Sequence, residues 1–302
     1  MFVTTTIMIH DGSMELQQMR YIVAVAETKN FTRAARQCLV VQSALSHQIA
    51  RLERELGAKL FERTSRRVEL TPAGAAFLPA ARQALEAADR ARAEVTAVSG
   101  EIRGRLAIGA IPSVGAVDLL GTLQDFRTRH PRVQISLQVG MSDHLVDDVR
   151  QGRLDIAFLG LPDGTEPRGV TARALARGEL VAVVHPTHPL AGERDVGTER
   201  FSTELFVDFP AGSPGRAQTE QAFTAAGVHR EVAFEVVAVD YFVELIRRNL
   251  CIGLLPESIV AAFPDLRTAT LRNPPRRVEY VVWGPRKPGP AAAAYLSALE
   301  TS

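Results

Sequence analysis

The chain has 302 residues, 35 Lys and Arg against 34 Asp and Glu, and 46% apolar residues, which suits a soluble globular protein with room for a small and a larger domain. No apolar run approaches the ~18 residues that a membrane span needs. The start, MFVTTTIMIHDGSM, has neither the basic region nor the small-residue cleavage site of a secretory signal, and the two cysteines, Cys38 and Cys251, are spaced for neither a metal nor a disulfide framework, which fits a reducing cytoplasm.

The near-neutral balance hides an asymmetry. Residues 14–71 hold ten Lys and Arg and six Asp and Glu, and the remainder carries a net −3. A modestly basic head on a slightly acidic body suits a polyanion-binding module. Residues 1–13 are polar and irregular and are expected to form a disordered extension, with Met14 a candidate start. Leu16, Met19, Ile22, Val23 and Ala26 then recur at helical spacing, which predicts a helix over about 15–28. Asn30-Phe31 breaks it, and Thr32 is the expected N-cap of a short second helix with Ala34, Ala35 and Cys38 facing inward. Cys38 reads as a small core residue rather than a redox sensor. Leu39-Val40-Val41 connects to a third helix from about Gln42 to Leu56, striped by Leu45, Ile49, Leu52 and Leu56.

That stripe leaves Gln42, Ser43, Ser46, His47 and Arg51 pointing elsewhere. Their donors and acceptors have the reach to read base edges and phosphates in a major groove; a plain solvated face would carry Lys and Glu pairs instead. Gly57 ends the helix. Two short extended runs, KLFER and RVELT, then flank a tip of Thr64-Ser65-Arg66, the pattern of a two-stranded wing with Arg63, Arg66 and Arg67 near phosphates or a minor groove. With Thr32 and Arg33 at the start of the second helix, these residues are the DNA-binding candidates.

Residues 14–75 resemble the DNA-binding end of the LysR-type transcriptional regulators. The resemblance rests on MELQQMRYIVAVAE and on NFTRAARQCLVVQSALSHQIARLERELGAKLFERTSRRVELTPAG. The run L-S-x-Q-I-x-x-L-E-x-x-L-G-x-x-L-F-x-R is highly specific to that family. Val41, Ser43 and His47 depart from it, where Ser, Pro and Arg are usual, so base preference does not carry over from relatives.

Residues 72–99 are almost pure helix formers. Phe77, Ala81, Ala84, Ala88, Ala91, Val95 and Val98 alternate by four and three, a heptad seam that predicts pairing with a second helix. The resemblance implies the same dimer, and a dimer reads a partial palindrome. Pro79 is expected to bend the helix.

After Gly100 and Gly104 the pattern alternates strands with helices, which predicts βαβ units on a parallel sheet. Strands are expected at 105–110, 133–139, 154–160, 178–185, 204–209, 232–237, 251–256, 267–271 and 277–284. The resemblance implies an effector domain of the periplasmic-binding-protein-like kind over 102–302. Its subdomain I would cover about 102–165 and 268–302, and subdomain II about 166–267, with crossings near Leu161–Val170 and Pro264–Leu271. Four junctions, Ile111-Pro112-Ser113, Gly140-Met141-Ser142, Gly212-Ser213-Pro214 and Val239-Asp240, put a capping residue where a strand gives way to a helix. Ligands in such folds sit at the carboxyl ends of strands, and free N–H groups there favour an anion. Ser113, Val114, Met141, Ser142, Phe209, Ser213, Asp240 and Tyr241 are therefore the effector-binding candidates. By resemblance, Ser113 and Ser142 match inducer-site positions, whereas Asp240 would repel an anion.

His185-x-x-His188 is interrupted by Pro186 and reads as a turn rather than a metal site. Ile111-Pro112-Ser113-Val114-Gly115 lacks the first glycine of a nucleophile elbow, and no phosphate-binding Gly-rich loop occurs. The sequence thus predicts a cytoplasmic, non-enzymatic regulator without cofactor or metal. Residues 14–71 form a winged helix-turn-helix, 72–99 a linker and dimerisation helix, and 102–302 a two-subdomain α/β sensor of a small organic effector. Its expected partners are double-stranded DNA, a second copy of itself in a dimer or tetramer, and RNA polymerase. The alternative is a small-molecule binding protein with no DNA role.

Overall fold

The computed structural model describes residues 14–63, 67–97 and 101–300, and its contacts cluster into two units, Met1–Arg92 and Ala93–Ser302. The expected extension at 1–13 lies outside the described residues.

In the first unit, α1 (Leu16–Thr28) opens on a capping box between Glu15 and Gln18. Its buried face is Gln18, Tyr21, Ile22, Ala24 and Val25. The expected stripe is therefore rotated: Leu16 is exposed, because a neighbouring helix packs where Tyr21 and Val25 project. Helix α2 (Phe31–Gln37) is capped by Asn30, whose side chain accepts from the Arg33 amide, so Thr32 is not the cap. Asn30 is extended while Thr32 is already helical, and only the extended residue can turn its side chain onto the free amides. Ala34 and Ala35 are buried where α2 crosses its neighbours. Leu39 takes φ +57° in the turn, and α3 (Gln42–Glu55) follows behind Val41, which supplies no side-chain cap. Gly57 adopts φ +66°, a left-handed value that favours glycine, and ends the helix. Strands β1 (Phe61–Arg63) and β2 (Val68–Leu70) pair antiparallel as the wing, with Phe61 opposite Leu70. The tip at 64–66, with Arg66, lies outside the described residues.

Helix α4 (Pro72–Ala97) contains Pro79, and Thr71 Oγ1 accepts from the Gly74 amide at its start. The heptad seam divides. Phe77 packs against the core of the first unit beside buried Leu78, and Ala81 is buried, so these turns already have a partner within the chain. Ala84 and Ala88 are half-buried, Ala91 is exposed, and Val95 is 75% exposed. Val98 lies outside the described residues.

The second unit is built on β3 (Gly104–Ala110), α5 (Leu119–Arg129), β4 (Val133–Val139), α6 (Ser142–Arg150), β5 (Ile156–Pro162), β6 (Thr171–Val184), β7 (Leu205–Asp208), α7 (Pro214–Ala225), β8 (Glu231–Glu235), α8 (Val239–Arg247), β9 (Gly253–Pro256), α9 (Glu257–Val260), β10 (Arg267–Ala269), β11 (Arg276–Trp283) and α10 (Pro290–Ala298). One sheet runs β10-β6-β11-β5-β3-β4, with β9 also on β6. It is mixed rather than parallel: β3 pairs parallel with β4 and β5, whereas β11 is antiparallel to both β5 and β6. A parallel pair, β7-β8, forms a separate small sheet.

The halves meet along β6. Residues 171–179 pair with β11 and residues 180–184 with β9 and β10. The chain thus changes halves inside one continuous strand, not at Leu161–Val170, and returns between β10 and β11. The Ala-Arg alternation of Thr171–Arg177 hid this strand, because its faces carry few large apolar groups. Apolar cores fill both faces of the sheet in each half. No helix among the described residues is long and apolar enough to cross a membrane.

Candidate functional site

On α3, Leu45, Ile49 and Leu52 face the core, and Gln42, Ser43, His47 and Arg51 are exposed on the other side. Leu56 is not part of the stripe; it is exposed beyond the helix end, and Glu53 turns inward in its place. Glu53 Oε1 accepts from the Leu60 and Phe61 amides at 2.9 and 3.3 Å, and Lys59 Nζ donates to Oε2 at 2.8 Å. A carboxylate at the end of α3 therefore anchors the first wing strand. Burial pushes its pKa up, but these donors together hold it below the ordinary 4.5.

Arg63 is engaged at the base of the wing. Its guanidinium lies 3.8 Å from the Phe31 ring centroid and Nη1 donates to Ser46 Oγ at 2.9 Å, so Ser46 and Arg63 hold wing and helix together. Arg33 turns back to donate to the Thr28 carbonyl at 2.6 Å, while Thr32 is exposed beside it. Arg67 is exposed, with Glu69 at 3.8 Å. Val41, 68% exposed, and Leu39, 92% exposed, put bare apolar surface at the start of α3.

In the second unit a cleft of about 430 Å³, its open mouth included, is walled by both halves. Of the effector candidates, Ser113, Met141, Ser142 and Phe209 line it. The other four do not. Val114 packs into the cores beneath. Ser213 is buried as the cap of α7, accepting from the Arg216 amide. Asp240 and Tyr241 are exposed on the first turn of α8, whose N-cap is Ala238, because the apolar face of that helix, Phe242, Val243 and Ile246, takes the core side. Nor do the two serines in the cleft act as caps. Ser113 precedes no helix; α5 starts at Leu119 behind Asp118. Met141 is the N-cap of α6 and supplies no side-chain acceptor, while Ser142 Oγ bonds the Gly160 carbonyl and amide at 3.1 and 3.2 Å.

The sequence reading missed the groups that organise the cleft: Gly160, Gln218 and Arg277. Gln218 Nε2 donates to the Gly160 carbonyl at 3.4 Å. Arg277 Nη1 donates to Ser113 Oγ at 3.2 Å, and Nη2 lies 2.9 Å from Glu279. Burial pushes the Arg277 guanidinium below its ordinary pKa, against the pull of Glu279. The spacing of Gly115 from Glu279, 164 residues, carries no local signal, although Arg277 and Glu279 alternate correctly for one face of a strand.

His188 Nε2 sits 3.2 Å from a Glu204 carboxylate in a turn, and no metal-type cluster occurs among the described residues. Cys38 is half-buried and Cys251 buried; burial raises both thiols, that of Cys251 to about 12.

Two sequence-family models match the chain. The bacterial regulatory helix-turn-helix protein of the lysR family matches residues 16–75, and the LysR substrate binding domain matches residues 99–302. The HTH-type transcriptional regulator BudR of Raoultella terrigena is 32% identical over 273 residues, covering 89% of this chain and 94% of that protein. A probable hydrogen peroxide-inducible genes activator of Mycobacterium avium is 34% identical over 243 residues, covering 80% and 78%. Among solved structures, full-length CbnR complexed with its target DNA matches with a TM-score of 0.65 and 26% identity, covering 95% of this chain and 99% of that one. A full-length OxyR variant from Pseudomonas aeruginosa shares the fold with a TM-score of 0.76 at 24% identity, covering 96% and 94%.

Proposed function

Because the chain belongs to the LysR family of bacterial transcriptional regulators, we propose that α3 reads an operator while a small organic effector in the cleft sets the regulatory state. The carrying observation is the exposed row Gln42, Ser43, His47 and Arg51 on a helix whose opposite face is fully buried, with the basic wing tied to it through Arg63. A binding protein with no DNA role leaves that module without a purpose. A gel shift on the upstream region at two salt concentrations tests the reading: sequence-preferring binding that weakens with salt is expected, and salt-insensitive or absent binding overturns it. Gln42→Ala is expected to relax preference at particular base pairs, whereas Arg66→Ala weakens binding to all sequences alike, read out by competition with single-base operator variants. The opposite pattern would exchange the roles of helix and wing.

The protein acts as a dimer paired along Ala84, Ala88, Ala91 and Val95, an open apolar row on one chain. Two copies of α3 then meet a partial palindrome. Self-association stops at this dimer or goes on to a tetramer, and RNA polymerase is a candidate downstream partner. The chain works in the cytoplasm, catalyses no reaction and needs no cofactor. Effector binding changes the relation of the two halves around β6, driven by its different affinity for the two arrangements.

The thiols argue against a peroxide trigger. The thiolate is the form that peroxide attacks, and both cysteines are held protonated by burial. Mild hydrogen peroxide is expected to leave operator affinity and the mass of both Cys-containing peptides unchanged; oxidation of Cys251 with altered DNA binding would reverse this.

A further inference from the structure

The cleft contains a cation whose surroundings leave it incompletely satisfied. Arg277 is 5% exposed and forms part of the cleft wall, where it is the one charged residue among those described. Its Nη groups are engaged by Ser113 and Glu279, but Nε is buried with no hydrogen-bond partner. Glu279 offers no more: its Oε2 accepts from the Gly115 and Ala116 amides at 3.0 Å each while Oε1 faces Arg277. The guanidinium lies against Gly160, where a Cβ would stand 2.8 Å from Nη2, so any side chain at Gly160 would displace it.

Two further sources of positive potential open on the same space. Helix α6, nine residues long, starts at Ser142 with no side-chain cap, and α7, twelve residues long, presents Gly215 from its first turn. Free amides at helix starts favour an anion. The remaining wall is apolar, chiefly Ile111, Leu180, Phe209 and Leu254.

Building on the effector reading above, we infer that the ligand is a small monocarboxylate with a compact apolar body. Its carboxylate docks on Arg277 and the start of α6, and its body fills the apolar wall. A guanidinium suits this task because its planar fork matches a carboxylate and stays charged when buried.

The test uses the full chain and three probe acids, propanoate, hexanoate and phenylacetate, each with its primary amide, by calorimetry and thermal shift up to millimolar concentrations. At least one acid is expected to bind roughly tenfold or more tighter than its amide, which is a little over one kcal/mol by the relation of affinity to free energy. Arg277→Lys, which keeps the charge but loses the fork, should remove most of that preference. If Arg277→Lys does not fold, the double variant Arg277→Gln, Glu279→Gln neutralises the pair together and should abolish it. Leu254→Trp, which fills the cleft, should block the acid altogether.

Acids and amides that bind alike and are both blocked by Leu254→Trp would overturn the carboxylate class and leave the cleft as the effector site. Acid binding that survives Leu254→Trp would sink the cleft reading as well. Failure of every acid to bind overturns the proposal.

Discussion

Arg230→Met is expected to destabilise the second unit by about 3–5 kcal/mol, the usual cost of stripping one partner from a buried ion pair. Asp208 is 2% exposed, and its Oδ2 accepts from Arg230 Nη2 at 2.5 Å and from Thr219 Oγ1 at 2.6 Å. Met would keep the packing over the Phe206 and Phe223 rings, which lie 5.2 and 5.3 Å from the guanidinium carbon, so the loss reports charge rather than volume. Burial raises the Asp208 pKa and Arg230 pulls it back. A raised carboxylate favours the folded state while protonated, so stability falls as pH rises from the ordinary 3.8 through the folded value. Without Arg230 that folded value moves higher. The variant should therefore lose less at acidic than at neutral pH, as urea midpoints at two pH values would show. Asp208→Leu added to Arg230→Met should restore much of the loss, and a double variant no better than the single would refute the uncompensated charge. The consequence reaches the cleft, because Asp208 Oδ1 also holds the amide of Phe209 at 2.7 Å, and Phe209 lines the wall.

Glu53→Ala should cost about 3 kcal/mol in the first unit, since two buried amides, those of Leu60 and Phe61, lose their acceptor at about 1–3 kcal/mol each. Operator affinity should fall with it, because the wing strand loses its tie to the reading helix. Glu53→Gln, which keeps an acceptor, should recover more than half of the stability. The depressed pKa sets the pH behaviour. Stability from this carboxylate is present above 4.5, its ordinary value, and is lost as pH falls through the lower folded value. Denaturant midpoints of wild type and variant should converge in acid. Equal loss at every pH would assign the effect to packing instead.

These two carboxylates mark the limit of what was legible. Asp208 and Glu53 look in sequence like ordinary surface acids, and Glu53 sits in a run, Arg51 to Glu55, that reads as solvated. Periodicity placed Leu45, Ile49 and Leu52 correctly, because a helix that buries one stripe must repeat every three or four residues. It misjudged Leu56, since the turn at Gly57 carries the chain away and leaves a gap that a carboxylate fills. It could not divide the α4 seam, because Phe77 and Ala81 on their own core carry the same pattern as Ala91 and Val95, which stay exposed. In the cleft, Ser113 and Ser142 were found and Arg277 was not. Both serines follow the ends of strands, where a break in the apolar run signals itself locally, whereas Arg277 lies at the start of β11 and is buried only by residues distant in sequence.

The amino-acid sequence by itself determined the helix-turn-helix, the paired wing, the alternating α/β body and the family, because these rest on short-range spacing, turn chemistry and motif. Tertiary structure alone decided which polar groups lost their water and which distant residue replaced it. Glu53 with the wing amides, Arg230 with Asp208, and Arg277 with one guanidine N–H unmatched were settled there. The physical reason is that desolvation is a property of the packed fold, whereas the chemical identity of a carboxylate or guanidinium is the same in a loop and in a core.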